Sequence, residues 1–214
     1  MIKAPEKSAV SRGTHLSPAD QTRAALIRAA LKLFGRQGFE GTSTREIAAL
    51  AKANIGSIAY HFGGKEGLRA ACANYIVETI GGIAGPALAQ ATGDLSGPEA
   101  AQARLNTVLE AMVGFIVARP EAGELVQFVL RELSQPSEAL DIIYDGVFEP
   151  VHRRLCRIWA EASGEDAESD RTRITIFTLI GQVVYFRIAR AAVMRRMGWD
   201  NLAAVLAARK KGKP

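Results

Sequence analysis

Residues 43–68, "STREIAALAKANIGSIAYHFGGKEGL", contain the pattern that decides the fold of this chain. Ser43 stands three residues before Glu46, which is the spacing of a capping box at the start of a helix. A second short helix is predicted from about Ile55 to His61, after a tight turn over residues 52–54. Two short helices joined by such a turn predict a helix-turn-helix. The second helix of that motif enters the major groove of DNA.

The residues before this motif predict a third helix that completes the unit. Ser17 is a favourable N-cap, Pro18 suits the first helical position, and Asp20 places an acid in the first turn. Residues 1–16 lack periodicity and predict a flexible basic arm, so the three-helix domain is expected over residues 17–64. The apolar residues of its first helix recur at helical spacing and predict one inner face: Leu26, Ala29, Ala30, Leu33 and Phe34.

The excess positive charge of the chain lies in its first third. Residues 1–75 hold eleven Lys and Arg against five Asp and Glu, a net charge of +6. The remaining residues hold 16 bases against 17 acids, a net charge of −1. This asymmetry predicts a polyanionic partner for the N-terminal region. A solvated basic face that only aids solubility is the alternative.

The second short helix and the two glycines after it predict contacts with a polyanion. The small residues Gly56 and Ser57 would allow close approach to base edges, and Tyr60 and His61 could donate hydrogen bonds to phosphate oxygens. Lys65 would start a long fourth helix, where a helix N-terminus beside a cation suits a phosphate. The sequence lacks the GxxxxGK[ST] pattern of a nucleotide-binding loop. Packing by Tyr60 and capping by His61 are the alternatives.

The rest of the chain predicts a second helical domain over residues 65–214. Amphipathic segments at 99–118, 121–133 and 137–147 are separated by prolines, and two long helices follow. Residues 174–186 carry no charge, so this part of the last long helix is expected to be buried on every side. Pairing of the two long helices with those of a second subunit would form a four-helix bundle and cover them. A purely intramolecular core is the alternative.

The middle helices are expected to enclose an apolar pocket for a small molecule. Such pockets are lined mainly by apolar side chains, with a few polar groups that orient the ligand. Ordinary core packing is the alternative for each candidate. The apolar candidates are Met112, Phe115, Phe128, Tyr144, Phe148 and Phe177, and the polar candidates are Arg131, Glu132 and His152.

Metal, redox and membrane functions are not predicted. Cys72 and Cys156 fit no ligand or redox spacing and suggest reduced thiols of a cytoplasmic protein. The uncharged stretches are shorter than the ~20 residues of a membrane span. We therefore expect no metal, no cofactor and no membrane contact. An enzyme is the rival class, and its best constellation would be His152 with Glu149 or Asp145. A helical interaction module without DNA binding is the other alternative.

Three segments of the chain resemble one protein family. They are "TSTREIAALAKANIGSIAYHFGGKEGL" at 42–68, "LRELSQPSEALDIIYDGVFEPVHRRLCRIWAEASG" at 130–164 and "GQVVYFRIARAAVMRRMGW" at 181–199. The first resembles the signature of the TetR/AcrR family of bacterial regulators, and the others resemble the CecR (YbiH)-like branch. The resemblance implies an all-α homodimeric repressor with an N-terminal helix-turn-helix domain and a C-terminal ligand-binding and dimerisation domain. It also implies a palindromic operator, release by a small-molecule effector and a theme of efflux regulation.

The resemblance also assigns site residues by position. Two residues depart from the family pattern. Ala59 stands where many members have a Tyr that binds phosphate, which shifts that contact to Tyr60. Lys52 replaces the usual turn glycine, so either the turn is slightly strained or Lys52 makes a backbone contact. Arg45 would read a guanine, since its fork of donors matches that base. The predicted DNA contacts are Thr44, Arg45, Ile55, Gly56, Ser57, Tyr60, His61 and Lys65.

Overall fold

The computed structural model describes residues 17–90 and 97–201. The predicted basic arm and most of a terminal helix expected over residues 200–213 lie outside these ranges. The described helices are α1 (Pro18–Gln37), α2 (Thr44–Ala51), α3 (Gly56–Phe62), α4 (Lys65–Gln90), α5 (Pro98–Met112), α6 (Ala122–Ser134), α7 (Glu138–Ile143), α8 (Glu149–Ser163), α9 (Asp170–Ile188) and α10 (Arg190–Met197). Two π-helical segments, Val113–Val117 and Tyr144–Phe148, follow α5 and α7. The all-α prediction is confirmed.

The predicted start of α1 is confirmed by its N-cap. The hydroxyl of Ser17 accepts a hydrogen bond from the backbone N–H of Asp20 at 3.1 Å, and Pro18 occupies the first turn. At the other end Gly38 has a φ of 78°, and its N–H donates to the carbonyl of Phe34. Glycine adopts this conformation without the crowding that a β-carbon causes. The local sequence therefore sets both boundaries of α1.

The hydrophobic core continues from the three N-terminal helices into the rest of the chain. Leu26 and Ile47 belong to the same buried cluster as Ile76 of α4 and Phe128 of α6. The rings of Phe34 and Phe128 are 6.4 Å apart, in the seam where α1 packs against α6. The division into domains at residues 64 and 65 thus stays a prediction, since one cluster of side chains spans it.

Helix α4 runs without interruption from the three-helix unit into the middle of the molecule. It passes through Pro86 and ends at Gln90. Proline removes one backbone hydrogen bond from a helix interior and glycine lowers its stability. Gly81 and Gly82 are exposed, and a β-carbon on either would meet no atom within 4 Å. The last turns of α4 are therefore locally weak and sterically open.

The C-terminal helices form a second apolar cluster, in which α8 packs between α5 and α9. Its buried members include Val108, Leu155, Ile158 and Ile176. The amphipathic segment expected at residues 99–118 is α-helical as far as Met112 and π-helical from Val113 to Val117. No single helix in the described ranges is long and apolar enough to cross a membrane, although α9 and α10, bent by 83°, meet the criteria together.

Within one chain, residues 174–186 are not buried on every side, and the cover expected from a second subunit stays a prediction. Ile174, Phe177 and Tyr185 are exposed by 64, 62 and 59 %, respectively. Gly181 and Ile188 are also exposed, and the five residues recur at intervals of three, four, four and three. This spacing places them on one side of a helix. We call Ile174, Phe177, Gly181, Tyr185 and Ile188 the α9 stripe.

Candidate nucleic-acid interface

The capping box at the start of α2 is present as predicted. The hydroxyl of Ser43 accepts from the N–H of Glu46 at 3.2 Å, and the Glu46 carboxylate accepts from the N–H of Ser43 at 2.8 Å. The hydroxyl of Ser43 also donates to this carboxylate and is the main reason why the pKa of Glu46 is lowered. The box fixes the first turn, where Thr44 is half-buried and Arg45 is exposed. Arg45 has no ion-pair partner in the described part of the chain.

The reading helix α3 is anchored by one buried side chain, and an asparagine just before it binds the N–H of its first residue. Ile58 is buried in the core, which fixes the orientation of this short helix. The side-chain oxygen of Asn54 accepts from the N–H of Gly56 at 2.8 Å, and the helix starts one residue later than predicted. The exposed or half-buried residues Ile55, Gly56 and Ser57 therefore lie at the N-terminal end of α3, the end that meets base edges in this motif.

Tyr60 projects from the reading helix into solvent. Its exposed fraction is 84 %, and its ring meets the edge of the His61 ring with the centroids 4.9 Å apart. Packing in the core is therefore excluded as the role of Tyr60 in one chain. The hydroxyl is free to reach a partner, and a phenolic O–H is a hydrogen-bond donor to phosphate oxygens.

Glycines make the junction between α3 and α4. Gly63 has a φ of 75° and Gly64 a φ of 142°. Residues with a side chain rarely adopt these backbone angles. A β-carbon on Gly67 would overlap the carbonyl oxygen of Phe62, so α4 starts in close contact with the end of α3. Lys65 is the residue after Gly64, and its ammonium group lies 4.1 Å from the centroid of the Phe39 ring. The attraction between cation and ring holds Lys65 in place at the helix start.

The eight predicted DNA contacts lie at the starts of α2, α3 and α4 and near the C-terminal end of α3. Their inner neighbours Ile47, Ala48 and Ile58 are buried, which leaves the predicted contacts on the remaining faces. Thr44, Ser57, His61 and Lys65 are half-buried and the other four are exposed. We call the eight the reading surface; their contact with DNA stays a prediction. They are Thr44, Arg45, Ile55, Gly56, Ser57, Tyr60, His61 and Lys65.

A buried ion pair, which the sequence did not reveal, joins the reading surface to the rest of the molecule. Arg69 donates two hydrogen bonds to the Glu132 carboxylate, at 2.8 and 2.9 Å, and the hydroxyl of Ser137 donates a third at 2.6 Å. The guanidinium of Arg69 also lies 4.6 Å from the ring centroid of Phe39, beside the Lys65 ammonium. Glu132, placed above among the pocket residues, is committed to this pair and is only 2 % exposed.

The candidate pocket residues do not gather in one cavity. Phe128 is fully buried against Phe34, and Arg131 donates to the carbonyls of Gly35 and Arg36, so the α1–α6 seam holds both. This corrects their assignment as ligand contacts. Tyr144 and Phe177 are exposed, which corrects their placement in an enclosed pocket. The candidates that stay inside or at the edge of the core are Met112, Phe115, Phe148 and His152.

The rival enzyme constellation around His152 is not formed. One ring nitrogen of His152 lies 3.2 Å from the carbonyl of Arg173 and the other 3.7 Å from the sulfur of Cys156. Its ring stacks on Phe177 with 4.0 Å between centroids. Glu149 pairs with Arg153 instead. Burial raises the pKa of the Cys156 thiol, so this sulfur is not an activated nucleophile.

Family models match both parts of the chain. The model described as "Bacterial regulatory proteins, tetR family" matches residues 26–72. The C-terminal domain of the HTH-type transcriptional dual regulator CecR matches residues 101–209.

Two regulators of known sequence are similar over long stretches. The HTH-type transcriptional dual regulator CecR of Shigella flexneri is 34% identical over 183 residues, which cover 84% of this chain and 82% of that protein. The HTH-type transcriptional repressor NicS of Pseudomonas putida is 34% identical over 145 residues, which cover 65% of each protein.

Solved structures share the fold. A transcriptional regulator from Pseudomonas aeruginosa PAO1 superposes with a TM-score of 0.63 at 22% identity, covering 94% of each chain. AibR, solved in complex with isovaleryl coenzyme A and operator DNA, superposes with a TM-score of 0.61 at 22% identity. The match covers 78% of this chain and 85% of AibR. At this identity the likeness shows the all-helical architecture alone.

Proposed function

Because this chain belongs to the TetR family of bacterial transcriptional regulators and has a CecR-type C-terminal domain, we propose that it binds a near-palindromic operator as a homodimer and leaves it when a small-molecule effector binds. Like the members of its family, the chain is a helix-turn-helix regulator and not an enzyme. The operator, the dimer and the effector are proposed here.

The exposed reading surface is the observation that supports operator binding most strongly. Ile55 and Tyr60 are exposed by 48 and 84 % although both are large and apolar or aromatic. Neither is covered by the residues that the structure describes, whereas Ile58 between them is buried. A short helix with such residues at its outer face suits the major groove, and the exposed Arg45 suits a bidentate contact with guanine.

The α9 stripe supports the homodimer. It exposes four large apolar side chains in a row, and its central Gly181 would let a second helix approach closely. Pairing of α8 and α9 with the same helices of a second copy would bury the stripe in a four-helix bundle. A symmetric dimer would also place two reading helices on successive half-sites, which is the reason for a near-palindromic operator.

Operator binding is tested with duplexes from the region upstream of the gene for this protein and its neighbours. We expect one upstream duplex to bind with a Kd of about 10⁻⁸ to 10⁻¹¹ M near physiological salt. A duplex with the same composition in scrambled order is the matched control. Sedimentation of the complex should give two chains per duplex. Equal binding of all duplexes, native and scrambled, would contradict the proposal.

The two π-helical segments support an effector site in the middle of the C-terminal region. π-Helical turns are frequent at functional sites because they redirect side chains. Phe115 and Phe148 lie in these segments and Met112 precedes the first, and all three pack at the core. Gly146 packs against the side chain of Val77 in α4, where a β-carbon would come within 2.7 Å of a methyl carbon. A ligand that shifts this contact would therefore move α4.

Helices α4 and α6 offer the route from an effector to the reading surface. Helix α4 starts at Lys65 and passes both Val77 and Arg69, and α6 carries the carboxylate that binds Arg69. An element touched by both sites is the physical requirement for coupling between them. Coupling is reciprocal and typically about 1–3 kcal/mol, so operator DNA should weaken effector binding by the same factor.

Effectors are sought among compounds that raise the Tm of the protein, since a ligand that binds only the folded state stabilises it. A true effector should also weaken operator binding by roughly 5- to 150-fold. The double variant Gly81→Ala/Gly82→Ala stiffens the weak turns of α4 without a clash and should bind operator normally but respond differently to the effector. Release equal to that of the wild type would rule out this part of α4 as the hinge.

Control of efflux genes is proposed on the family resemblance alone. It predicts that deletion of the gene changes transcripts of a neighbouring exporter. Unchanged exporter transcripts, with other neighbouring transcripts altered, would leave the regulator in place and remove the efflux theme.

A further inference from the structure

The backbone of Lys52 adopts a conformation that its side chain disfavours. Its φ is 53° and its ψ is 39°, and it is the only residue other than glycine with a positive φ in the described ranges. The left-handed conformation brings the β-carbon close to the following carbonyl oxygen, so glycine usually occupies this position after a helix. A glycine at position 52 would therefore relieve strain that lysine imposes.

The side chain of Lys52 is not held by any carboxylate. It is exposed and forms no ion pair within the described residues, and the same is true of Arg28 on α1. Both residues line one open cleft of about 520 Å³ between α1 and the α2–α3 turn. None of the described residues that line the cleft is acidic; the other lining residues are Pro18, Gln21, Thr22, Ala24, Ala25, Ala51 and Ala53. Two cations facing a cleft without acids favour an anion.

The position of Lys52 relative to the reading surface suits a DNA phosphate. Lys52 follows α2 at the end opposite Arg45, seven positions further along the chain, which corresponds to about 10 Å of helix. The major groove is about 12 Å wide. The two ends of α2 therefore lie about as far apart as the backbones that border the groove. Asn54, two residues after Lys52, accepts a hydrogen bond from the N–H of Gly56, the first residue of α3, which ties Lys52 to the start of the reading helix.

We propose that Lys52 binds a backbone phosphate of the operator at the cleft between α1 and the α2–α3 turn, with Arg28 as the second cation. This role explains why a lysine occupies a strained position in which glycine would be more stable. The contact would position the reading helix without reading sequence, as phosphate contacts do. The inference rests on operator binding as proposed above and adds two residues to the reading surface.

The variant Lys52→Gly separates this role from a structural one. Relief of strain should raise Tm by about 2–4 °C. Loss of one phosphate contact per subunit should lower operator affinity roughly 10- to 60-fold at 0.1 M salt. The slope of log affinity against log salt should fall in magnitude by about 2 for a dimer, since each contact contributes about 0.9. A purely structural lysine would give the higher Tm alone.

Two further variants serve as controls. Lys52→Arg keeps the charge and should retain the salt slope of the wild type. Arg36→Ala removes one exposed and unpaired charge from the same domain, at the end of α1 away from the cleft, and should leave the slope unchanged. Arg28→Ala should also reduce the slope, but by less than Lys52→Gly does, and should cause a smaller loss of affinity.

The outcomes distinguish this inference from the proposed function. A wild-type protein that binds no upstream duplex specifically would remove operator binding and this inference together. Specific wild-type binding with an unchanged slope in Lys52→Gly would overturn only the phosphate contact. The contact is also overturned by an equal loss of affinity in Lys52→Arg or by a Tm in Lys52→Gly that does not rise.

Discussion

The reading surface and the α9 stripe are two exposed parts of one chain with opposite chemistry. The reading surface combines small residues, hydrogen-bond donors and cations, and it lies in the region of net positive charge. The α9 stripe combines four large apolar side chains around a glycine and carries no charge. The first suits a hydrated polyanion and the second suits another apolar surface. What a chain leaves uncovered thus indicates the class of partner at each place.

Salt is expected to weaken DNA binding by the reading surface strongly and dimer formation by the α9 stripe only slightly. This is the largest effect that we predict. Between 50 and 200 mM salt, operator affinity should fall about 10³-fold if six phosphates are neutralised, because bound counterions are released from DNA. Dimer formation should change by less than about tenfold, because apolar burial does not depend on screened charges. Gel shift and sedimentation at four salt concentrations measure both. A dimer as salt-sensitive as the DNA complex would break the comparison.

A charge in the α9 stripe should separate the subunits. Tyr185→Glu would place two carboxylates in an apolar interface, where like charges cost several kcal/mol. We expect a monomer at micromolar concentration and an operator affinity lowered by at least about 100-fold. Gln182→Glu, which adds the same charge about 100° around the helix from the stripe, should remain dimeric. Dissociation of both variants would show that the stripe is not the interface.

Within the reading surface, Arg45 is expected to contribute affinity that depends on the DNA sequence, and Lys65 affinity that does not. Arg45→Ala should lower affinity roughly 5- to 150-fold for the operator and little for duplexes changed at one guanine, since the bidentate contact is lost. Lys65→Ala should weaken all duplexes alike and reduce the salt slope. A panel of single-base operator variants measures both. Uniform weakening by Arg45→Ala would contradict its role as a base reader.

Tyr60 gives the smallest expected effect. Tyr60→Phe removes one hydroxyl donor and keeps the ring, so affinity should fall about 3- to 10-fold for every duplex. The Tm should not change, because the side chain is almost fully exposed. Calorimetric titration with operator and scrambled duplexes provides the measurement. Unchanged affinity would contradict phosphate binding by the Tyr60 hydroxyl. Packing within its own chain would not take its place, because the side chain is exposed.

The two surfaces also differ in how well they could be foreseen. The capping box at Ser43, the cap at Ser17 and the glycine at position 38 are local signals, and the helices start and stop where these signals predict. The uncharged run in α9 predicted a buried helix, but the exposed stripe appears only in the structure. The reason is that a sequence pattern does not distinguish burial within one chain from burial between two chains.

The C-terminal candidates were the least predictable. Phe128 and Arg131 are of residue types that commonly line ligand pockets, yet they fill the seam between α6 and α1. Tyr144 and Phe177 were expected inside and are exposed. Aromatic and basic residues serve cores, seams and pockets equally well, so composition alone does not assign them.

The sequence by itself determined the starts of α1 and α2 and the helix-turn-helix, because caps, turns and helical periodicity depend on residues at most a few positions apart. Its motifs also carried the resemblance to the family. Only the tertiary structure decided which residues hold the parts together. Arg69 meets Glu132 from 63 residues away and Arg131 meets Gly35 from 96 residues away. The left-handed backbone of Lys52 likewise becomes a clue only beside the cleft that α1 forms with it. Such contacts depend on how helices pack, and packing is set by the whole core.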